Sequence, residues 1–188
     1  MSKNLYKENN LNDLIIKAQQ GDNKALEELI RRVQKDVYAM FSHLVGKKEE
    51  VSDLTQETLL KMAKYLYQLK DTKNFRAWRN KVVTNVFYDY LKKNPNNIVE
   101  IDEEQLNSIK DKIGCEPGEK CLFSEVEKVI KAALMTLPQN LRITLVLRDY
   151  EGLSYDDISK ITNVNLGTVK SRLSRARLKL QKELKEFI

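Results

Sequence analysis

One histidine, two cysteines, three prolines and six glycines in 188 residues leave this chain poorly equipped for most kinds of active-site chemistry. A structural zinc site takes four ligands at characteristic spacings. Cys115 and Cys121 have five residues between them and no second pair, and His43 is far away in sequence. The two cysteines therefore read as ordinary thiols, with a redox or regulatory role as the remaining alternative, and no metal or cofactor is expected. No glycine-rich loop is laid out to cradle phosphates and no spacing supports a nucleophile with its base, which argues against an enzyme. Nor does any stretch approach the roughly 18 to 20 uninterrupted apolar residues of a membrane span. The start, MSKNLYKENN, lacks the apolar core of a secretory leader. A cytoplasmic chain without membrane insertion is the expectation.

What is present is charge, unevenly placed. The hydrophobic fraction of 41% is enough for a core, and the charged fraction of 32% with so few helix breakers points to helices. Residues 1–93 carry 18 Lys/Arg against 12 Asp/Glu, residues 94–120 carry 3 against 7, and residues 121–188 carry 12 against 8. Two basic modules joined by an acidic middle suit a polyanionic partner that the middle avoids.

Amphipathic periodicity dominates the chain. Leu11, Leu14, Ile15 and Ala18 predict a short helix stopped at Gly21. Asp22 is placed to cap a longer one ending near Gly46, a third runs from about Val51 to Leu69, and a fourth starts near Asn74 and fades at KKNPNN. Residues 94–120 are polar and acidic with two of the three prolines, and read as a linker. Helical spacing returns near Cys121, breaks at Leu137-Pro138, resumes through QNLRITLVLRDY and stops at Glu151-Gly152. The predicted architecture is all-α: two small helical domains, 1–93 and 121–188, joined by a flexible acidic linker.

The last forty residues carry the most specific pattern. Ser154 and Asp157 form a capping box over a helix of about two turns. Asn163-Val164-Asn165 then supplies a left-handed turn and a new cap, so the second domain reads as a helix-turn-helix. On the wheel of the second helix, Leu173, Ala176 and Leu180 fall within about 40° of Val169. Opposite them lie the small residues Gly167, Ser171 and Ser174, with Thr168, Lys170, Arg172, Arg175 and Arg177 on the shoulders. Residues 170–182 contain six cations and no acid. A solvated helix normally mixes glutamate into such a face; a crest of small residues flanked by cations suits entry into a DNA groove.

Two further constellations lie in the first module. NFRAWRNKVVTNVFYDYLKK interleaves Arg76, Arg79, Asn80, Lys81 and Asn85 with aromatic residues, a composition suited to unstacked single strands, although Phe75 and Trp78 could equally be core. In SDLTQETLLK, Asp53, Gln56 and Glu57 form an acidic and amide patch, which is either plain solvated surface or a site for a basic protein surface.

In this order, QQGDNKALEELI, DLTQETLLK, NFRAWRNKVVTN and LPQNLRITLVLRDYEGLSYDDISKITNVNLGTVKSRLSRARLKL resemble the sigma-70 family of RNA polymerase sigma factors, of the compact extracytoplasmic-function (ECF) type. The resemblance covers nearly the whole chain. It implies an alternative sigma factor that binds bacterial core RNA polymerase, recognises promoter DNA as duplex and as melted strand, and assists melting. It further implies that Asp53, Gln56, Glu57 and Lys61 engage the core enzyme. Lys70, Asp71, Lys73, Asn74, Arg76, Trp78, Arg79, Asn80 and Asn85 would hold the promoter's -10 element. Thr168, Lys170, Ser171, Arg172, Ser174 and Arg175 would read the -35 element. Family members are often held inactive by an anti-sigma factor. This chain departs from the family pattern at Arg79-Asn80, where an apolar residue commonly follows the tryptophan, and in KDTKN, where a glycine often sits. The competing reading is a helix-turn-helix regulator that binds duplex DNA alone, usually as a dimer.

Overall fold

The structure, a computed structural model, describes residues 10–94 and 119–185, the side chains of 119–125 excepted. The linker assigned to 94–120 lies almost wholly outside the described residues, as do the side chains of Cys115 and Cys121. Among the described residues every regular element is helical. The first domain contains α1 (Leu11–Gln19), α2 (Asn23–Ser42), α3 (Lys48–Tyr65) and α4 (Phe75–Lys93), with single 3-10 turns at Leu66–Gln68 and Thr72–Asn74 between the last two. The second contains α5 (Glu119–Met135), α6 (Gln139–Leu145) running into a wide π turn at Val146–Tyr150, α7 (Tyr155–Thr162) and α8 (Leu166–Lys185).

Local signals set most of the ends. Asp22 Oδ1 accepts from the amides of Lys24 and Ala25 at 2.9 and 3.1 Å, so α2 starts where its cap predicts. The Ser154 hydroxyl accepts from the Asp157 amide at 3.1 Å and donates to its carboxylate at 2.7 Å, closing the capping box of α7. Asn163 takes the left-handed conformation at φ 54° and ψ 46°, and the Asn165 side chain accepts from the Thr168 amide at 2.8 Å to start α8. The third helix is shorter than its periodicity predicts. After Tyr65 the chain tightens into a 3-10 turn, and the Leu66 and Leu69 carbonyls accept at 2.9 and 2.7 Å from the side-chain amide of Gln19 in α1. At the end of α6 the Glu151 amide reaches the Val146 carbonyl at 3.0 Å, a five-residue step. Gly152 turns the chain away at φ 64°, where a Cβ would be strained.

One apolar cluster runs through both domains, from Ile15, Leu29, Phe41, Met62 and Phe87 to Leu134, Ile143, Leu147, Val169 and Leu173. The domains meet along α4, which packs on α3 and α7. Across that boundary Arg142, 2% exposed, donates to the Leu44 carbonyl of the first domain at 2.7 Å. It also donates to the Met135 and Leu137 carbonyls of its own domain at 2.7 and 3.0 Å. The His43 and Tyr150 rings stack with centroids 4.0 Å apart.

Phe87 lies at the middle of α4 and is fully buried. Phe87→Ala is expected to lower stability by about 3–5 kcal/mol in urea unfolding. Leu60→Ala, at a side chain 72% exposed, should stay within about 0.5 kcal/mol of the parent.

Candidate nucleic-acid interface

Helix α8 is held from below. Val169, Leu173 and Ala176 are buried, and α5, α6 and α7 pack on that stripe. Gly167, Ser171 and Ser174 are exposed on the far side, together with Lys170 and Arg175, while Thr168 and Arg172 are half-buried. Arg177 is drawn back to Asp149 at 2.7 Å, a fold contact that leaves the outer shoulders to Lys170 and Arg175. The crest is shallow because its side chains are small, and the Asn165 cap fixes the end at which those residues begin.

Helix α4 is divided differently from the sequence expectation. Arg79 and Asn80, expected to project with Arg76, Lys81 and Asn85, are buried instead, at 7% and 0% exposure. At about 100° per residue the buried positions Phe75, Arg79, Asn80, Val83, Thr84, Val86 and Phe87 span half the helix circumference. Lys81, Asn85 and Lys92 occupy the open half, with Trp78 half-buried at its edge. Phe75 is core, and its ring lies 5.8 Å from that of Trp78. Arg76, in the first turn, stays exposed although it lies 3.7 Å from Glu151.

The loop before α4 is shaped by its own acid. Asp71 accepts from the Lys73 amide and the Asn74 side chain, both at 3.0 Å, so this carboxylate caps a 3-10 turn. Lys70, Lys73 and Asn74 stay exposed. Lys73, Arg76 and Arg32 border a cleft of about 580 Å³ that also touches Asp36, His43 and Glu151.

On α3, Asp53 and Gln56 are exposed and Glu57 is half-buried. Lys61 is already engaged, 2.8 Å from Glu57 and 3.6 Å from Asp89, and the bond to Glu57 raises its pKa. The sequence reading passed over Leu60, which falls on the same face at i+7 from Asp53 and stands in the open among these polar groups. It also passed over Glu151, which looked only like the end of a helix. Glu151 accepts from Arg79 at 2.6 Å and from Asn80 at 2.9 Å, and Arg76 lies 3.7 Å away. The partners are 71 and 72 residues apart in sequence, so no local pattern signals the contact.

A helix-turn-helix with a cationic, small-crested second helix, docked on a second helical module with its own exposed cations, defines a nucleic-acid-binding protein of two modules. The comparisons with known proteins agree. The Sigma-70 region 2 model matches residues 29–96, and the Sigma-70 region 4 model matches residues 127–180. The ECF RNA polymerase sigma-E factor of Haemophilus influenzae is 28% identical over 93% of this chain and 95% of its own length. The RNA polymerase sigma-H factor of Pseudomonas aeruginosa is 27% identical over 93% and 94%. Among solved structures, the sigma factor RpoE in complex with the anti-sigma factor NepR from Bartonella quintana superposes with a TM-score of 0.65 at 27% identity, covering 86% of this chain and 98% of that one. CnrH in complex with the cytosolic domain of CnrY shares the fold at a TM-score of 0.64 and 19% identity, over 93% and 97%. The chain belongs to the sigma-70 family of RNA polymerase sigma factors, of the ECF type. It is an alternative sigma factor, and the matches favour that function over the stand-alone regulator.

His43 joins the two modules through Tyr150 and is kept below the ordinary histidine pKa, first by burial and then by Lys131, with the Ala39 backbone, Glu127 and Glu151 acting the other way. A histidine whose folded pKa is depressed binds fewer protons folded than unfolded. Its contribution is therefore complete above about pH 6.5 and is lost as pH falls below that value. The thermal midpoint is expected to decline as pH is lowered from neutrality through this range, and His43→Gln should flatten that part of the slope.

Proposed function

We propose that this sigma factor divides its work among three surfaces of the two modules. The face of α8 opposite its buried stripe reads the -35 element in the major groove, through Thr168, Lys170, Ser171, Arg172, Ser174 and Arg175. The observation that carries this reading is the exposed crest of Gly167, Ser171 and Ser174 with cations beside it, on a helix whose opposite side is locked into the core. Small residues let the backbone approach the base edges, and the neighbouring guanidinium and ammonium groups reach phosphates or guanine.

The loop of Lys70, Asp71, Lys73 and Asn74, with Arg76, Trp78, Arg79, Asn80 and Asn85, holds the melted -10 strand. Asp71 contributes by shaping the loop, since both its oxygens already accept hydrogen bonds from it. Unpairing DNA costs a few kcal/mol per flipped base, and stacking on aromatic side chains can offset it. Asp53, Gln56, Glu57 and Lys61 dock on the core polymerase, with exposed Leu60 on the same face. The factor acts by binding energy, without turnover of its own, and works in the cytoplasm. No helix among the described residues is long and apolar enough to cross a membrane. An anti-sigma factor is a further partner, by analogy with the RpoE and CnrH complexes.

The direct experiment is multi-round transcription from a genomic fragment library by bacterial core polymerase with and without the protein. Start sites that depend on it and share motifs about ten and thirty-five bases upstream would bear out the division of labour. Arg175→Ala should reduce initiation at those sites by about 1–3 kcal/mol of recognition while leaving the helical content unchanged. Unchanged activity would remove Arg175 from the reading surface. Reversing charge with Asp53→Lys and Glu57→Lys should weaken capture of core enzyme in a pull-down, and unaltered affinity would count against the α3 patch.

A further inference from the structure

Each DNA-binding module carries a group that is occupied by the other module. Arg79 of α4, its side chain 8% exposed, donates to Glu151 and to Asp36, both at 2.6 Å. Asn80 donates its amide to the same Glu151 oxygen at 2.9 Å. Arg172 of α8 lies beside the Tyr88 hydroxyl of α4, where burial raises the phenol's pKa and the guanidinium partly offsets it. Asp36 belongs to the first domain and is 58% exposed at its side chain, so Glu151 is the acid that ties this cation across the boundary.

We propose that Glu151 is an intramolecular latch: a carboxylate that takes the place of a nucleic-acid anion on Arg79 and Asn80 and holds the free chain closed until polymerase and promoter displace it. The proposal rests on the assignment of Arg79, Asn80 and Arg172 as DNA contacts and adds how those contacts are regulated. A carboxylate and a phosphate offer a guanidinium the same paired acceptors. The guanidinium cannot serve both at once, so closure and DNA binding compete. The apparent affinity of the free chain for DNA is its intrinsic affinity multiplied by the fraction of molecules that is open. The device is built from the positions at which this sequence departs from the apolar pattern after the tryptophan. An apolar pair at 79 and 80 would leave Glu151, in a nearly closed site, with the more exposed Arg76 at 3.7 Å as its remaining cationic neighbour among the described residues. Gly152 and the π turn before it set the carboxylate at the end of α6, facing α4.

Glu151→Gln keeps the shape and removes the charge. The experiment compares the full-length parent and E151Q in two readouts: the radius of gyration from small-angle X-ray scattering, and the affinity for a fluorescein-labelled single-stranded oligonucleotide of mixed sequence, without polymerase. The latch predicts a larger radius and roughly tenfold tighter DNA binding for E151Q, the gain when the open fraction rises from about a tenth to nearly all molecules. Circular dichroism reports whether the helices persist. If E151Q loses them, Glu151→Asp, which keeps the charge but shortens its reach to Arg79, should give smaller shifts in the same directions. As a rescue, Glu151→Arg alone should open the chain, and Glu151→Arg with Arg79→Glu should close it again. An unchanged radius with unchanged affinity would overturn the latch. A larger radius without tighter DNA binding would overturn the masking and remove Arg79 and Asn80 from the DNA surface. The reading of α8 is judged separately, by Arg175→Ala in the transcription assay.

Discussion

A buried cation that rests on carbonyl oxygens rather than on an acid holds this molecule together. Arg142 is almost fully enclosed, and its guanidinium reaches two carbonyls of the segment that leaves α5 in its own domain and a third in the other domain. Burial lowers its pKa to about 10, still far enough above neutrality for the charge to persist. Isolating such a charge would cost several kcal/mol. The carbonyls that surround it lie at or just beyond the C-terminal ends of helices, where unpaired acceptors and the helix dipole both favour a positive group. The planar fork of arginine satisfies three of them, which a lysine could not do with the same geometry. The arrangement sets the end of α5, the start of α6 and the segment after α2 relative to one another. Helix α7 packs against α4 across the same boundary.

Given that docking, α4 must bury half its surface, and only part of the buried half is apolar. Val83, Val86 and Phe87 face the core of the first domain. Arg79, Asn80 and Thr84 are also buried, and hydrogen bonds satisfy them: the Thr84 hydroxyl donates to the Asn80 carbonyl at 2.7 Å. The boundary between the domains is therefore mixed: a continuous apolar cluster resists separation, while the polar contacts beside it can be exchanged for water or another ligand at less cost. Under the proposed division of labour the two modules would have to reach two promoter elements, and the polar share of the boundary is the part that could yield.

The fold was largely legible because its punctuation is local. The caps at Asp22, Ser154 and Asn165 and the left-handed Asn163 each act within three or four residues, and each stands where the sequence places it. The buried stripe of α8 follows from periodicity alone. The candidate site was legible only where its residues answer to one helix. Arg79 and Asn80 looked exposed because polar residues usually are, and their burial depends on Glu151 in a different domain. Asp71 looked like a contact for DNA, yet its oxygens are taken up in its own turn. Leu60 went unnoticed because a single leucine among acids breaks no pattern until its neighbours are seen to leave it bare. The end of α3 was placed too late for the same reason, since the side-chain amide that donates to the Leu66 and Leu69 carbonyls just beyond it comes from α1.

That last contact has a consequence for how such a protein changes over time. Gln19 is half-buried on the first helix and is not among the residues proposed to meet DNA, yet it supports the backbone at the entrance to the loop before α4. A replacement there would shift the loop without altering any residue proposed to meet the strand. Preference for one promoter over another can therefore drift through a position that a comparison of DNA-facing residues would never inspect, and two factors with identical reading surfaces need not serve the same genes.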